Sequence, residues 1–425
     1  MITIYNESKL QNIIDSFTID KIELEKIAAA FRRDIVLGLE GDSLSSFKML
    51  QSYLALPTRT EKGQFIALDF GGTNVRALLI ELLGDGKVNV IKKATKQLVT
   101  ADYNYISAST TAESLFDFIA NLILEVAGTD KEYLLGHTFS FPSMQTDLNN
   151  ARLITWTKEF ATTGVEGEVV NELLKAALER CGASNIKPVA VINDTVATLL
   201  AAAYKRDHTD IGSICGTGHN TAYLESYHGL AKPRMILNLE SGNFDKLFTN
   251  PYDKMIDERS EKPGEQRMEK MVSGKYLGVL FYLAICDALE LADKAVDFDG
   301  ADLSVILSDQ SQNLKAVHQL IKAKMAIELD EEMCVWIKAI AESVVIRSAR
   351  LIATSYIAII WHIDGNEFIN EHTIAIDGSL FEKMPLYKEA MQKTMYEMIG
   401  EDAQKVHLML ENSGSGVGAA IAAAI

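Results

Sequence analysis

Apolar residues recur at helical spacing through Ile22, Ile27, Phe31, Ile35 and Leu39, which predicts one helix over 22–54. From Gln64 the texture changes. The short apolar run Phe65-Ile66-Ala67-Leu68 stops at Asp69-Phe70-Gly71-Gly72-Thr73-Asn74, and a second apolar run follows over 75–83. That order reads as strand, tight glycine turn, strand. Further short apolar runs at 133–141, 189–192, 211–215 and 374–376 are also strands. Helices are predicted over 168–181, 195–204, 332–361 and 385–399. Strands alternating with helices, with hairpins among them, give an α/β class with mixed sheets. The strands end in polar or glycine-rich residues: Ser140, Asn193-Asp194, Gly216-Thr217-Gly218-His219-Asn220 and Asp377-Gly378-Ser379. Ligands of open α/β sheets sit at the carboxyl ends of strands, so several strand ends are expected to converge on one ligand.

Composition narrows the field. The 425 residues suggest two or three domains, and with only 7 prolines and no linker-like run the domains are expected to be interwoven. A net charge of −17 disfavours a general binder of nucleic acid or of anionic membranes. It leaves room for one anionic ligand in a local cradle of backbone N–H groups. The four cysteines are scattered, with no CxxC pair, which fits reduced thiols and neither a zinc ribbon nor a disulfide scaffold. Residues 1–24 lack the basic start and apolar run of a signal peptide, and the apolar stretches 351–363 and 418–425 are shorter than the roughly 20 residues of a membrane span. A soluble cytoplasmic protein without a membrane partner is expected.

The chemistry concentrates at the strand ends. In Asp69-Phe70-Gly71-Gly72-Thr73-Asn74 an acid precedes a turn without side-chain bulk. Backbone N–H groups there can approach phosphate oxygens, the Thr73 hydroxyl adds a donor, Asp69 can hold a hydrated Mg²⁺, and Arg76 reaches the same phosphate. The same residues also suit a plain hairpin turn. Gly216-Thr217-Gly218 with Asn220 is a second cradle, and Asp377-Gly378-Ser379 a third strand-end turn. Ser413-Gly414-Ser415-Gly416-Val417-Gly418 opens an apolar helix whose free N–H groups can face a ligand. Asn193-Asp194 before a helix is either an ordinary N-cap or a carboxylate placed to take a proton from a hydroxyl. There is no P-loop, no dinucleotide fingerprint after a first strand, no HExxH and no metal spacing among the histidines. Asp69-Phe70-Gly71 spells a protein-kinase tripeptide, but no HRD loop precedes it.

Taken in order, these motifs resemble the eukaryotic-type hexokinase family over nearly the whole chain. Residues 65–76 are similar to its first phosphate motif. Phe139-Ser140-Phe141-Pro142 with Leu153-Ile154-Thr155-Trp156-Thr157-Lys158 resembles its sugar-binding segment, and 191–195 its catalytic strand end. Residues 216–220 resemble its second phosphate motif, Glu240 and 263–270 its later sugar acids, and 377–379 with 413–418 its adenosine-side loops. The resemblance implies the two-lobed fold of actin, Hsp70-type chaperones and sugar kinases (ribonuclease H-like), with mixed sheets and a central cleft. The small lobe would be 60–206 and the large lobe 1–59 plus 207–425. It implies ATP-dependent phosphorylation of a hexose, glucose foremost, at the 6-hydroxyl in the first step of glycolysis, with closure of the cleft on sugar. Asp194 would be the general base and Lys158 a positive charge near the transferring group. Ser140, Thr157, Lys158, Asn193, Asp194, Asn220, Glu240 and Glu269 would bind sugar. Asp69, Gly71, Gly72, Thr73, Asn74, Arg76, Thr217, Gly378, Ser379 and Ser415 would serve ATP, with Mg²⁺ arriving on the nucleotide and no metal held by the protein alone.

Three positions depart from the family pattern. Ser241 stands where the family has a tryptophan after the sugar acid, which puts sugar preference in question. His219 replaces a small hydroxyl residue, and its protonation is expected to make ATP binding pH-sensitive. Val417 replaces a common lysine, and the segment 227–236 is short. A hexose-sensing regulator with weak turnover is the alternative reading, opposed by the retained Asp194 and Lys158.

Overall fold

The computed structural model describes residues 6–72, 74–129, 131–226, 234–365, 369–412 and 414–425. Its strands are β1 (Lys62–Phe70), β2 (Asn74–Gly84), β3 (Lys87–Gln97), β4 (Tyr133–Phe139), β5 (Ile186–Ile192), β6 (Thr209–Cys215), β7 (His219–Glu225), β8 (Met235–Asn238), β9 (His372–Asp377) and β10 (Val406–Leu410), beside three two-residue strands. The first five form a sheet in the order β3-β2-β1-β4-β5. The last five form another in the order β8-β7-β6-β9-β10, with Leu50–Gln51 outside β8. Each sheet is an antiparallel meander of three strands extended by two parallel ones. The wiring is thus used twice. Parallel neighbours require crossover helices, which explains why long helical stretches separate the later strands of each set.

The helices that cover and join these sheets are α1 (Lys21–Glu40), α2 (Ala112–Val126), α3 (Val170–Arg180), α4 (Asp194–Lys205), α5 (Glu331–Asp364), α6 (Tyr387–Ile399) and α7 (Gly414–Ala424). Apolar faces of α2 and α3 close one side of the first sheet through Leu115, Ile119, Ile123, Leu174 and Leu178. Between the two sheets lies a separate core: α7 against β1 and β4, α4 against β6 and β7, and the two helices against each other. The glycine and alanine run of α7 lets it lie this close to both. The largest core surrounds α5, which packs on α1 and α6. By length and composition α5 is apolar enough to cross a membrane, a longer apolar stretch than 351–363 suggested, but 83% of its most apolar window is buried inside the fold.

All six strands expected from the sequence are present, most of them longer. The helix over 22–54 is not. It ends at Glu40, because Gly41 turns into the left-handed region (φ 76°) and the Gly41 and Asp42 amides close back on Gly38 and Leu37. The chain then runs to the edge strand at Leu50–Gln51. His219 and Asn220, read as part of a loop, open strand β7.

At the end of the second sheet away from the glycine-rich turns, His372 is buried between two acids. Its Nδ1 lies 2.7 Å from Asp210 and its Nε2 2.8 Å from Asp364. Burial alone would lower the imidazole pKa; the two carboxylates overcome it and raise it to about 9. A folded value above the unfolded one of about 6.5 means this stabilisation is complete below pH 6.5 and is lost as pH rises through 9. It amounts to at most about 3 kcal/mol. The melting temperatures of wild type and His372→Gln are therefore expected to differ most at about pH 6 and to converge towards pH 9.5. A gap that widens with pH would refute this.

Candidate active site

The first sheet brings one set of groups to its carboxyl edge. Asp69 and Phe70 end β1, beside Thr138 and Phe139 at the end of β4. Asp69 pairs with Arg76 across the β1–β2 hairpin at 2.8 Å. Gly71 turns directly against Ser140: a Cβ on Gly71 would come within 2.8 Å of the Ser140 Cβ, so only glycine keeps the turn this close. Asn74 opens β2, Gly72 faces open space, and Thr73 lies outside the described residues. Lys158, with φ at 58°, sends its Nζ back to donate to the carbonyls of Gly71 (2.6 Å) and Ser140 (3.0 Å). It thereby ties the sugar-motif loop to the glycine turn. The loop is seated by aromatic packing: Trp156, Phe160 and Phe141 meet at 4.8–5.0 Å between ring centroids, and the ammonium stands 5.3 Å from the Phe141 ring. Thr157, half-buried, precedes it. After β5, Asn193 caps α4 through the Thr195 amide (2.9 Å) and Asp194 is its first residue, accepting from the same amide at 2.8 Å. The N-cap reading of this dipeptide holds for Asn193, and it leaves Asp194 at the first position of the helix.

The second sheet supplies the other set. The turn Gly216–Gly218 after β6 is held by the Gly274 amide on the Gly216 carbonyl (2.8 Å) and the Lys275 amide on the Thr217 carbonyl (3.2 Å). Gly378, after β9, packs on the Gly216 end of that turn, with Ser379 opening a short helix beside it. Thr217 and Ser379 are exposed at this junction. Asn220 donates to Glu240 Oε1 at 2.8 Å, and so does Asn238. Glu240 stands in the left-handed region, with φ 55°. Glu269 Oε2 accepts from the His219 amide at 3.1 Å. Ser415 lies in the first turn of α7. Its carbonyl accepts from Thr138, and the adjoining Gly414 rests on Thr198, one turn after Asp194.

Charge shows how near the two sets stand. Burial raises the pKa of Glu240, the two asparagines oppose it, and the negative charge of Asp194 adds to the rise. Glu269 is raised by burial against the pull of the His219 amide and of Lys275, Lys158 and Lys270. Asp69 is raised by burial and by Asp194, with Arg76 opposing. Asp377 is pushed up to about 6 by burial and by the charges of Asp194, Glu411 and Asp69. Asp194 and Lys158 from one sheet thus act on Glu240, Glu269 and Asp377 from the other. The arrangement combines a carboxylate at a helix start, a lysine over a glycine turn, and paired acids and amides suited to hydroxyl groups.

Two family models described as hexokinase match residues 9–204 and 210–425. The chain belongs to the hexokinase family. It is 32% identical to Hexokinase-1 of Schizosaccharomyces pombe, over 99% of this chain and 91% of that one. It is 34% identical to Hexokinase-7 of Oryza sativa subsp. japonica, over 94% and 93%. A hexokinase crystal structure superposes with a TM-score of 0.89 at 33% identity, covering 98% of each chain. A hexokinase from Schistosoma mansoni complexed with glucose gives 0.84 at 31%, covering 99% of this chain and 100% of that one. The protein is a hexokinase enzyme with the two-lobed sugar-kinase fold, and the family reaction is phosphorylation of a hexose by ATP.

Within this hexokinase frame the departures acquire a structural meaning. Ser241 is fully buried and its hydroxyl lies 3.3 Å from Nε2 of His219. His219 is itself buried, and burial brings its pKa down to about 4, against a smaller opposing pull from the Ile214 carbonyl. The expectation of pH-sensitive ATP binding through His219 is therefore corrected. The ring stays neutral between about pH 6 and 8, and a His219→Gln variant is expected to share the wild-type pH profile of the ATP KM over that range; profiles that diverge towards pH 6 would contradict this.

Sequence reasoning missed two members of the cluster. Asp377 was visible in its own tripeptide, yet only Gly378 and Ser379 were taken from it. Glu411, which follows β10, carries no motif and is found only through its charge on Asp377.

Proposed function

We propose that this chain transfers the γ-phosphoryl group of ATP to the 6-hydroxyl of a hexose, glucose foremost, as the first step of glycolysis in the cytoplasm. The observation that carries the reading is the meeting of Asp194 and Lys158 with Glu240 and Glu269 across the two sheets. Asp194 takes the proton of the attacking hydroxyl. The hydroxyl oxygen forms its bond to the γ-phosphorus while the bond to the β–γ bridging oxygen breaks, and ADP leaves with those electrons. Phosphoryl transfer depends on positioning and on charge more than on covalent help, so one base and a cationic cradle suffice. Lys158 holds positive charge over the Gly71 turn, where backbone N–H groups meet phosphate oxygens. Ser140, Thr157, Asn193, Asn220, Glu240 and Glu269 pair with sugar hydroxyls, and a sugar that left one of them unpaired would lose about 1–3 kcal/mol.

The nucleotide is assigned to Thr217, Gly378, Ser379 and Ser415, with Asp69, Gly71, Gly72, Thr73, Asn74 and Arg76 at its phosphates. The chemistry of the donors fits Mg²⁺ brought in by ATP: the charge of Asp194 raises the pKa of Asp69, the charges of both raise that of Asp377, and a cation beside them relieves that repulsion. Asp69 would hold it through water, and it would neutralise phosphate charge. The lobes are taken as 60–206 and 1–59 plus 207–425, with α7 lying on the sheet of the first. Closure of the cleft on sugar would keep water, an equally good acceptor, from the phosphoryl group.

The test is ADP release with ATP and Mg²⁺ across a panel of hexoses. Sugar-dependent turnover, with one hexose preferred, is expected. Tight glucose binding without turnover would instead make the chain a sensor.

A further inference from the structure

One of the buried titratable rings that the mechanism leaves unused stands beside the site. His219 lies at the start of β7, 3% exposed, between the phosphate turn and the sugar acids. Its Nδ1 is 3.1 Å from the Ile214 carbonyl, at the stem of the Gly216–Gly218 turn. A carbonyl accepts only, so Nδ1 carries the proton. Nε2 is then an acceptor facing the Ser241 hydroxyl 3.3 Å away, which shares its one proton between this nitrogen and the Thr221 hydroxyl 3.1 Å away. Ser241 is fully buried, and its amide donates to Asn220 Oδ1 at 3.3 Å. The ring is thus engaged at both nitrogens.

Three proposed sugar groups adjoin this residue and its partner Ser241. The His219 amide holds Glu269, Asn220 is the next residue, and Ser241 follows Glu240 directly. Gly242 is pressed between them: a Cβ there would come within 3.0 Å of the His219 carbonyl and 3.1 Å of the Glu269 Cβ. A shift of β7 or of the 240–243 turn would therefore displace Asn220, Glu240 and Glu269 together. We propose that His219 and Ser241 form a positioning pair that sets the sugar-binding acids of this enzyme. The pair touches neither substrate. It fixes the distance between β7 and the turn after Glu240, and so the fit of the pocket to a hexose. The inference rests on the proposed sugar roles of Asn220, Glu240 and Glu269.

The experiment compares Ser241→Ala, His219→Gln and His219→Ala with wild type in the full chain, with glucose and ATP varied separately. Ser241→Ala removes one hydroxyl and no volume that holds the fold. It is expected to raise the glucose KM about tenfold, the effect of one buried hydrogen bond, with kcat and the ATP KM within about twofold of wild type. His219→Ala should raise the glucose KM further. His219→Gln keeps an acceptor within reach of Ser241 and should recover most of the loss. General loosening of the lobe would move all three constants together, and that result, or an unchanged glucose KM in Ser241→Ala, overturns the proposal. Calorimetric glucose Kd values give the same ratios independently of turnover. A wild type that binds glucose without turnover therefore sinks the kinase reading alone.

Discussion

Replacing Asp194 by alanine is expected to lower kcat at least about 100-fold while glucose affinity changes only a few-fold. A positioned general base is worth about 10²–10⁴. The geometry favours this carboxylate over its neighbours for the proposed role. Glu240 is engaged by two asparagine amides at 2.8 Å, Glu269 by the His219 amide and Asp69 by Arg76. Asp194 has one oxygen on the Thr195 amide and hydroxyl, at the start of a helix. Its loss also removes a charge that helps hold up the pKa values of Glu240, Asp69 and Asp377. Asp377 should then ionise at a pH below its present value of about 6, and the acid limb of ATP binding should move down with it. Asp194→Asn is the control for shape: it keeps the hydrogen bond and loses the base. Turnover unaltered in both variants would remove Asp194 from its role.

How much of this could be read beforehand depended on burial. The strands β1, β2, β4, β5, β6 and β9 are apolar on both faces or nearly so, and each was legible as an uninterrupted apolar run. Strand β3 was not. It lies at a sheet edge, exposed along most of its length, and its lysines guard that edge without leaving an alternating pattern. The helix over 22–54 was overextended because Leu44, Phe47 and Leu50 continue an apolar rhythm after the chain has left the helix. The stop was there in Gly41-Asp42. Of the site, the glycine turns and Asp194 were legible because their chemistry is local. Glu240 and Glu269 were reached only through the family order of motifs. The contact of His219 with Ser241 joins residues on different elements, and no periodicity reports which way two such side chains face.

Arg347→Met is expected to destabilise the lobe that holds α5 by about 3–5 kcal/mol. Arg347 is 2% exposed in the middle of α5, and both its terminal nitrogens donate to Asp253, each at 2.7 Å. Asp253 is also the third residue of a capping box with Asn250, at the start of the helix Pro251–Arg259. Phe17 lies under the guanidinium at 4.7 Å and stacks on Tyr252, while the Asn250 amide reaches the Ser16 carbonyl. One cation therefore holds the N-terminal segment, the 250–259 helix and α5 at a single buried point. Methionine matches its length and packs on Phe17, but leaves the Asp253 carboxylate buried and unpaired, which is where the cost arises. The double variant Arg347→Met with Asp253→Asn should recover a large part of it, because the charge is gone and the asparagine keeps the cap. The loss should also reach the nucleotide side. Ser348, the next residue, donates to the Val272 carbonyl and stands 2.7 Å from the Tyr387 hydroxyl, and the Gly274 amide two residues after Val272 holds the Gly216 turn. A raised ATP KM at temperatures below unfolding should therefore accompany the lower denaturation midpoint. A single variant within about 1 kcal/mol of wild type would show that the pair is dispensable, as apolar replacements of buried ion pairs sometimes prove to be.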